Sequence, residues 1–136
     1  MPEEKELRQK LIAYRVLEAR LQGLIKQREL IANKILEINS TLESIKEIEK
    51  NHKYILFPLG SEAYVFGELK EKNKLLVEIG ANVALEKNFE EGKNILEKRK
   101  AELEKALQEI QKELIVINAS MENLAEEIEK ITRKEQ

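Results

Sequence analysis

The sequence contains no cysteine, no tryptophan and no aspartate, and His52 is its only histidine. Two prolines and five glycines in 136 residues leave little to interrupt regular structure. Without Cys or Asp, and with one His, almost every common zinc or calcium site is excluded, so no metal site is expected. Absence of Cys also rules out disulfides and suits a reducing compartment. No apolar run approaches the roughly 18 residues that a membrane helix needs. The first six residues lack the basic and apolar regions of a signal peptide, so a cytoplasmic location is expected. No Gly-rich phosphate loop is present, so no nucleotide cofactor is expected. His52 lies in the polar stretch Asn51-His52-Lys53 with no orienting partner near it, which reads as a solvated junction. The many Glu residues fall on solvated helix faces with no pocket to shift their pKa. An enzyme is therefore not expected, and no catalytic residue is assigned.

What is abundant is charge of both signs. Twenty-four basic and 26 acidic residues, all of the latter Glu, nearly cancel to a net −2. No basic block or stripe stands out, which argues against nucleic acid as a partner. Charged residues at 37% beside aromatics at 4% give the composition of a coiled coil.

The pattern agrees. Leu7, Tyr14, Leu21, Ile35 and Leu42 stand at multiples of seven, and Leu17, Leu24, Ile31, Ile38 and Ile45 interleave with them. That is a heptad seam, and it predicts a first helix over residues 2–51. Pro2 suits its first turn, where a missing N–H costs nothing. Lys10 and Arg28 occupy seam slots, where polar residues can fix register or, for Arg28, let a packed stem carry its head to water. Asn51 fits a left-handed cap at the helix end. The second seam, Leu96, Leu103, Ile110, Ile117, Leu124 and Ile131 with Leu107, Leu114, Met121 and Ile128, predicts a helix over residues 88–134. Asn88 followed by Glu91 resembles a capping box at its start.

Between the helices the period changes to two. Residues 54–57, 63–69, 75–79 and 83–86 read as four short strands, forming two hairpins within residues 54–87. Pro58 to Ser61 breaks the first pair, and Gly80 to Asn82 turns the second. Gly67 suggests a bulge or a close backbone approach. Hairpins of this size are marginal alone and leave unpaired edges. Ile55, Phe57, Val65, Val77, Ile79, Val83 and Leu85 exceed what one small sheet can cover, and so form the candidate subunit interface. The other reading is a self-contained cap at the helix ends.

Both helices are about 47 residues, or roughly 70 Å long. Equal lengths with one narrow seam each fit an antiparallel hairpin, with Leu42 near Leu96, Ile35 near Leu103 and Leu7 near Ile131; pairing between chains is the alternative. The expected fold class is α+β, a long antiparallel two-helix coiled coil joined by two central β-hairpins, in one domain. At the free ends Leu7, Leu11 and Ile12 come near Leu124, Ile128 and Ile131. Coils fray there, so these six are candidates for holding unfolded chains, or else ordinary seam residues.

The stretch Ile55-Leu-Phe-Pro-Leu-Gly60, the turn Ile79-Gly-Ala-Asn-Val83, Gly67, Val83-Ala-Leu-Glu86, Phe89 and Leu96-Glu-Lys-Arg99 resemble a prefoldin subunit of the archaeal type. Two hairpins match the alpha class, since the beta class has one. The resemblance covers nearly the whole chain, with its specificity between Tyr54 and Arg99. It implies a hexamer of two alpha-class and four beta-class subunits whose hairpins pair in a β-barrel platform. It also implies distal tips that capture unfolded proteins without ATP and pass them to a group II chaperonin. Self-assembly into a filament or scaffold through the same strands, or a plain coiled-coil adaptor, are the alternatives.

Overall fold

The computed structural model describes residues 2–135; Met1 and Gln136, the ends of the expected single domain, lie outside the described residues. Two long helices carry two small antiparallel hairpins between them. The elements run α1 (Pro2–Lys50), β1 (Ile55–Gly60), β2 (Ala63–Gly67), β3 (Leu75–Gly80), β4 (Val83–Lys87) and α2 (Phe89–Glu135). The chain divides into two compact units. One contains residues 1–33 and 103–136, the other residues 34–102.

In the first unit the two helical segments pack along their seams. Leu24, Ile110, Leu114 and Ile117 form a buried cluster, with Leu17, Leu21, Ile25, Ile31 and Met121 packed against it. Leu24 is only 1% exposed. Lys10 lies opposite Glu127 and Arg20 opposite Glu113. The segments are therefore antiparallel. Arg28, which like Lys10 occupies a seam slot, is exposed beside a groove lined by Leu21, Ile25 and Leu114.

In the second unit Ile38, Leu42, Ile45, Val77 and Phe89 are buried. Lys93 bridges to Glu49 at 2.9 Å, again antiparallel. The α1 terminus differs from expectation. Asn51 is not left-handed; its N–H donates to the Glu47 carbonyl at 3.0 Å and its side chain accepts from the Lys53 N–H at 3.1 Å. An Asx turn thus ends the helix without positive φ. His52 is half-buried rather than solvated, and its Nδ1 has no hydrogen-bond partner.

The hairpins are two copies of one design, offset by twenty residues. Ile55 pairs with Gly67 and Leu56 with Phe66, as Leu75 pairs with Lys87 and Leu76 with Glu86. Each has a register shift just before its glycine, at Pro58/Gly60 and at Glu78/Gly80. Each then turns through two left-handed residues, Ser61 and Glu62 or Ala81 and Asn82, the two-residue loop that matches strand twist. β1 continues through Pro58 instead of stopping at Phe57. With no neighbour beyond β1 among the described residues, the missing N–H disrupts no ladder. Gly67 marks a close approach, because a Cβ there would sit 2.6 Å from the Phe57 ring. The bulge lies at Leu59 instead.

Candidate functional site

Two apolar surfaces stand out, one in each unit. On the hairpins they follow from strand alternation. In the first hairpin Ile55, Phe57 and Val65 share one face and Leu56, Pro58, Tyr64 and Phe66 the other, so both faces are apolar. In the second, Leu75, Val77, Val83 and Leu85 share a face, while the opposite one carries Leu76, Glu78, Ala84 and Glu86.

The second hairpin is laid against the helices of its own unit. Leu75 rests on Gly92, where a Cβ would come within 2.5 Å of it. Arg99 donates to the Glu78 carbonyl, and the Asn73 side chain accepts from the Phe89 N–H at 3.1 Å. From Leu75 to Glu78 a strand advances about 10 Å. From Gly92 to Arg99 a helix advances about 10 Å as well. β3 therefore runs alongside α2 with matched rise, and Glu91 N–H donating to Asn88 at 2.8 Å caps that helix beneath it. The Glu91 carboxylate lies 3.7 Å from Lys87 Nζ, an exposed ion pair at the same corner.

Of the seven strand residues singled out from sequence, Phe57, Val65, Ile79, Val83 and Leu85 are exposed and Ile55 is half-buried. Val77 is different. It is 8% exposed, because it points onto the helices of its own unit and lines a groove with Ile38, Ile45 and Leu96. It is therefore not open to another subunit. Sequence reasoning missed the opposite face: Phe66 is 79% exposed, with Leu56, Leu59 and Tyr64 also open. Uninterrupted apolar runs in both strands were the available signal, since a one-sided strand would alternate.

The second surface lies at the end of the first unit that contains Leu7. Leu11, Ile12 and Val16 are exposed, and Leu7, Leu124, Ile128 and Ile131 are half-buried between the helical segments. Val16 was not singled out. Lys10 sits among them, its ammonium 2.6 Å from Glu127 and 3.8 Å from Glu6. The hydrogen bond to Glu127, helped by attraction to both carboxylates, raises its pKa against the opposing effect of desolvation. Lys93 in the other unit is raised in the same way by its hydrogen bond to Glu49. Among the described residues no group of three or more His, Cys, Asp or Glu is placed to hold a metal, and no helix is long and apolar enough to cross a membrane.

Two helices around paired hairpins, with apolar surface on the strands and at the helix ends, are the features of a chaperone subunit built to assemble. The chain belongs to the prefoldin family, whose subunit description matches residues 17–134. It is 29% identical over 134 residues to the prefoldin alpha subunit of Pyrococcus horikoshii, covering 96% of this chain and 90% of that one. It is 31% identical over 107 residues to that of Nitrosopumilus maritimus, covering 78% and 74%. The alpha-class resemblance read from the two hairpins therefore holds. In fold the chain is similar to filamentous prefoldin from Methanocaldococcus jannaschii, with a TM-score of 0.72 at 24% identity, covering 85% of this chain and 97% of that one.

Proposed function

We propose that this prefoldin-type chaperone subunit is a non-enzymatic, ATP-independent holdase of the cytoplasm. It joins beta-class subunits, two alpha with four beta, through Ile55, Phe57, Val65, Ile79, Val83 and Leu85 and the outer residues Leu56 and Phe66. It captures unfolded proteins at the end bearing Leu7, Leu11, Ile12, Leu124, Ile128 and Ile131, and hands them to a group II chaperonin. The observation that carries this reading is the exposure of Leu11 and Ile12 beside four half-buried seam residues. Apolar side chains on a narrow, separable end offer weak, adaptable contacts, and several such ends acting together supply avidity.

The test is aggregation suppression by the assembled complex. With Leu11 and Ile12 both changed to Ser, suppression of a denatured client should fall severalfold while assembly and helicity persist. Unchanged suppression would rule out this end as the capture site.

A second reading joins copies of this chain into filaments through the same strands. It is favoured by the two apolar faces of the first hairpin, which require cover without specifying whose. Elongated particles of the isolated chain under the electron microscope would support it; discrete particles only would remove it.

A further inference from the structure

We propose that Lys10 is a positioning residue that keeps the outer turns of the first unit separable, through a clasp to Glu127 that opens to present the seam. The inference rests on the holdase reading and adds a control element to it. Lys10 occupies the slot preceding Leu17, Leu24 and Ile31 in the seam, where an apolar residue would continue the core. Its side chain is only 23% exposed, so the stem fills the seam while the ammonium reaches Glu127.

The clasp stands in the half-buried part of the seam. Inward of it Tyr14, Leu17, Leu21, Met121 and Leu124 are half-buried, and full burial begins only at Leu24 and Ile117. Outward of it Leu7, Ile128 and Ile131 are half-buried as well. An apolar residue in this slot would hold the outer turns shut at any ionic strength. A lysine holds them through a charge pair that salt weakens. Glu6, 3.8 Å from the same ammonium on its own helix, supplies a partner that remains when Glu127 moves away. The open state therefore leaves no unpaired cation, and the ammonium passes from the opposite helix to its own. When the clasp opens, Leu7, Leu124, Ile128 and Ile131 join Leu11 and Ile12 as one apolar surface.

Lys93 has a matching pair of acceptors, Glu49 at 2.9 Å across the helices and Glu90 at 3.7 Å on its own. There the neighbouring Phe89 and Gly92 are buried and the second hairpin packs on α2. The same clasp in that setting has no free end to open.

Because the chain has no cysteine, R8C and K130C place spin labels at two exposed tip positions without competition from other thiols of this chain. Distances are measured in the assembled complex, beside suppression of aggregation of denatured citrate synthase. In the parent the distances should lengthen and broaden between about 0.05 and 0.5 M salt, as screening weakens the pair. K10L should stay short and narrow throughout and capture roughly fourfold less client, the change expected from about one methylene of added burial. E127Q should be broad at every salt, and K10R should follow the parent. K10L distances that match the parent, or undiminished capture by K10L, would overturn the clasp. If the parent itself captured nothing, the holdase reading would fail, and the distances would still decide the clasp.

Discussion

At the scale of single residues, the side chains that matter are those out of step with their neighbours. Lys10 is a cation in an apolar seam, and its raised pKa fixes the sign of its pH dependence. In the unfolded chain it loses its proton near 10.5, and in the folded chain at a higher pH. Its stabilising contribution is therefore fully present below 10.5 and is lost as pH rises through the folded value. The difference in urea midpoint between the parent and Lys10→Met should stay constant from about pH 6 to pH 9, and change only in strongly alkaline solution. A change within that neutral window would contradict the assignment of the clasp to Lys10. The slot was legible in the heptads; the partner was not, since several Glu residues face that end and only packing selects Glu127. Arg28 was read correctly as a seam exception, and the structure exposes it. The half-burial of His52 and the Asx turn at Asn51 are not legible in the sequence, because neither a cap without positive φ nor burial at a junction leaves a composition signal.

At the scale of elements, the second hairpin depends on two asparagines. Asn88 caps α2 through the Glu91 N–H, and Asn73 accepts from the Phe89 N–H two residues earlier. Together they satisfy two of the amides that a helix start leaves unpaired. Asn88→Ala should cost about 1 kcal/mol, as N-cap removals do. Asn73→Ala should cost about 1 kcal/mol too, since it leaves the Phe89 amide without its acceptor. Hydrogen exchange should show faster loss of protection at Phe89 in the Asn73 variant and at Glu91 in the Asn88 variant. Equal effects at both amides from either change would show that the two contacts are not separate.

The helices, the four strands and the capping Asn88 were all readable, because each has a local periodic or side-chain signal. β1 runs past the end expected at Phe57, because an edge strand tolerates Pro58. Val77 is an interface candidate from sequence because alternation gives two faces without saying which one meets the helices. That choice is made by Gly92, whose missing Cβ admits Leu75, and by Arg99, which reaches the Glu78 carbonyl. Both lie on α2, far from the strand in sequence.

At the scale of the molecule, the apolar surface exceeds what the chain itself covers. The first hairpin is open on both faces, and its edges have no neighbouring strand among the described residues. Such edges are aggregation-prone unless paired or covered, so the chain as it stands is one part of an assembly. In the proposed reading the partners are smaller, beta-class subunits with a single hairpin each. In the same proposed reading assembly gives the exposed helix ends their use, since one weak apolar end would hold little and several around one client would hold it together. The most direct test is the native mass of the complex purified from the cells that make this chain. The account predicts a mixed assembly of about six chains containing a second, smaller subunit, with two copies of this chain. This chain alone as a monomer, or bound to one dedicated partner, would contradict it.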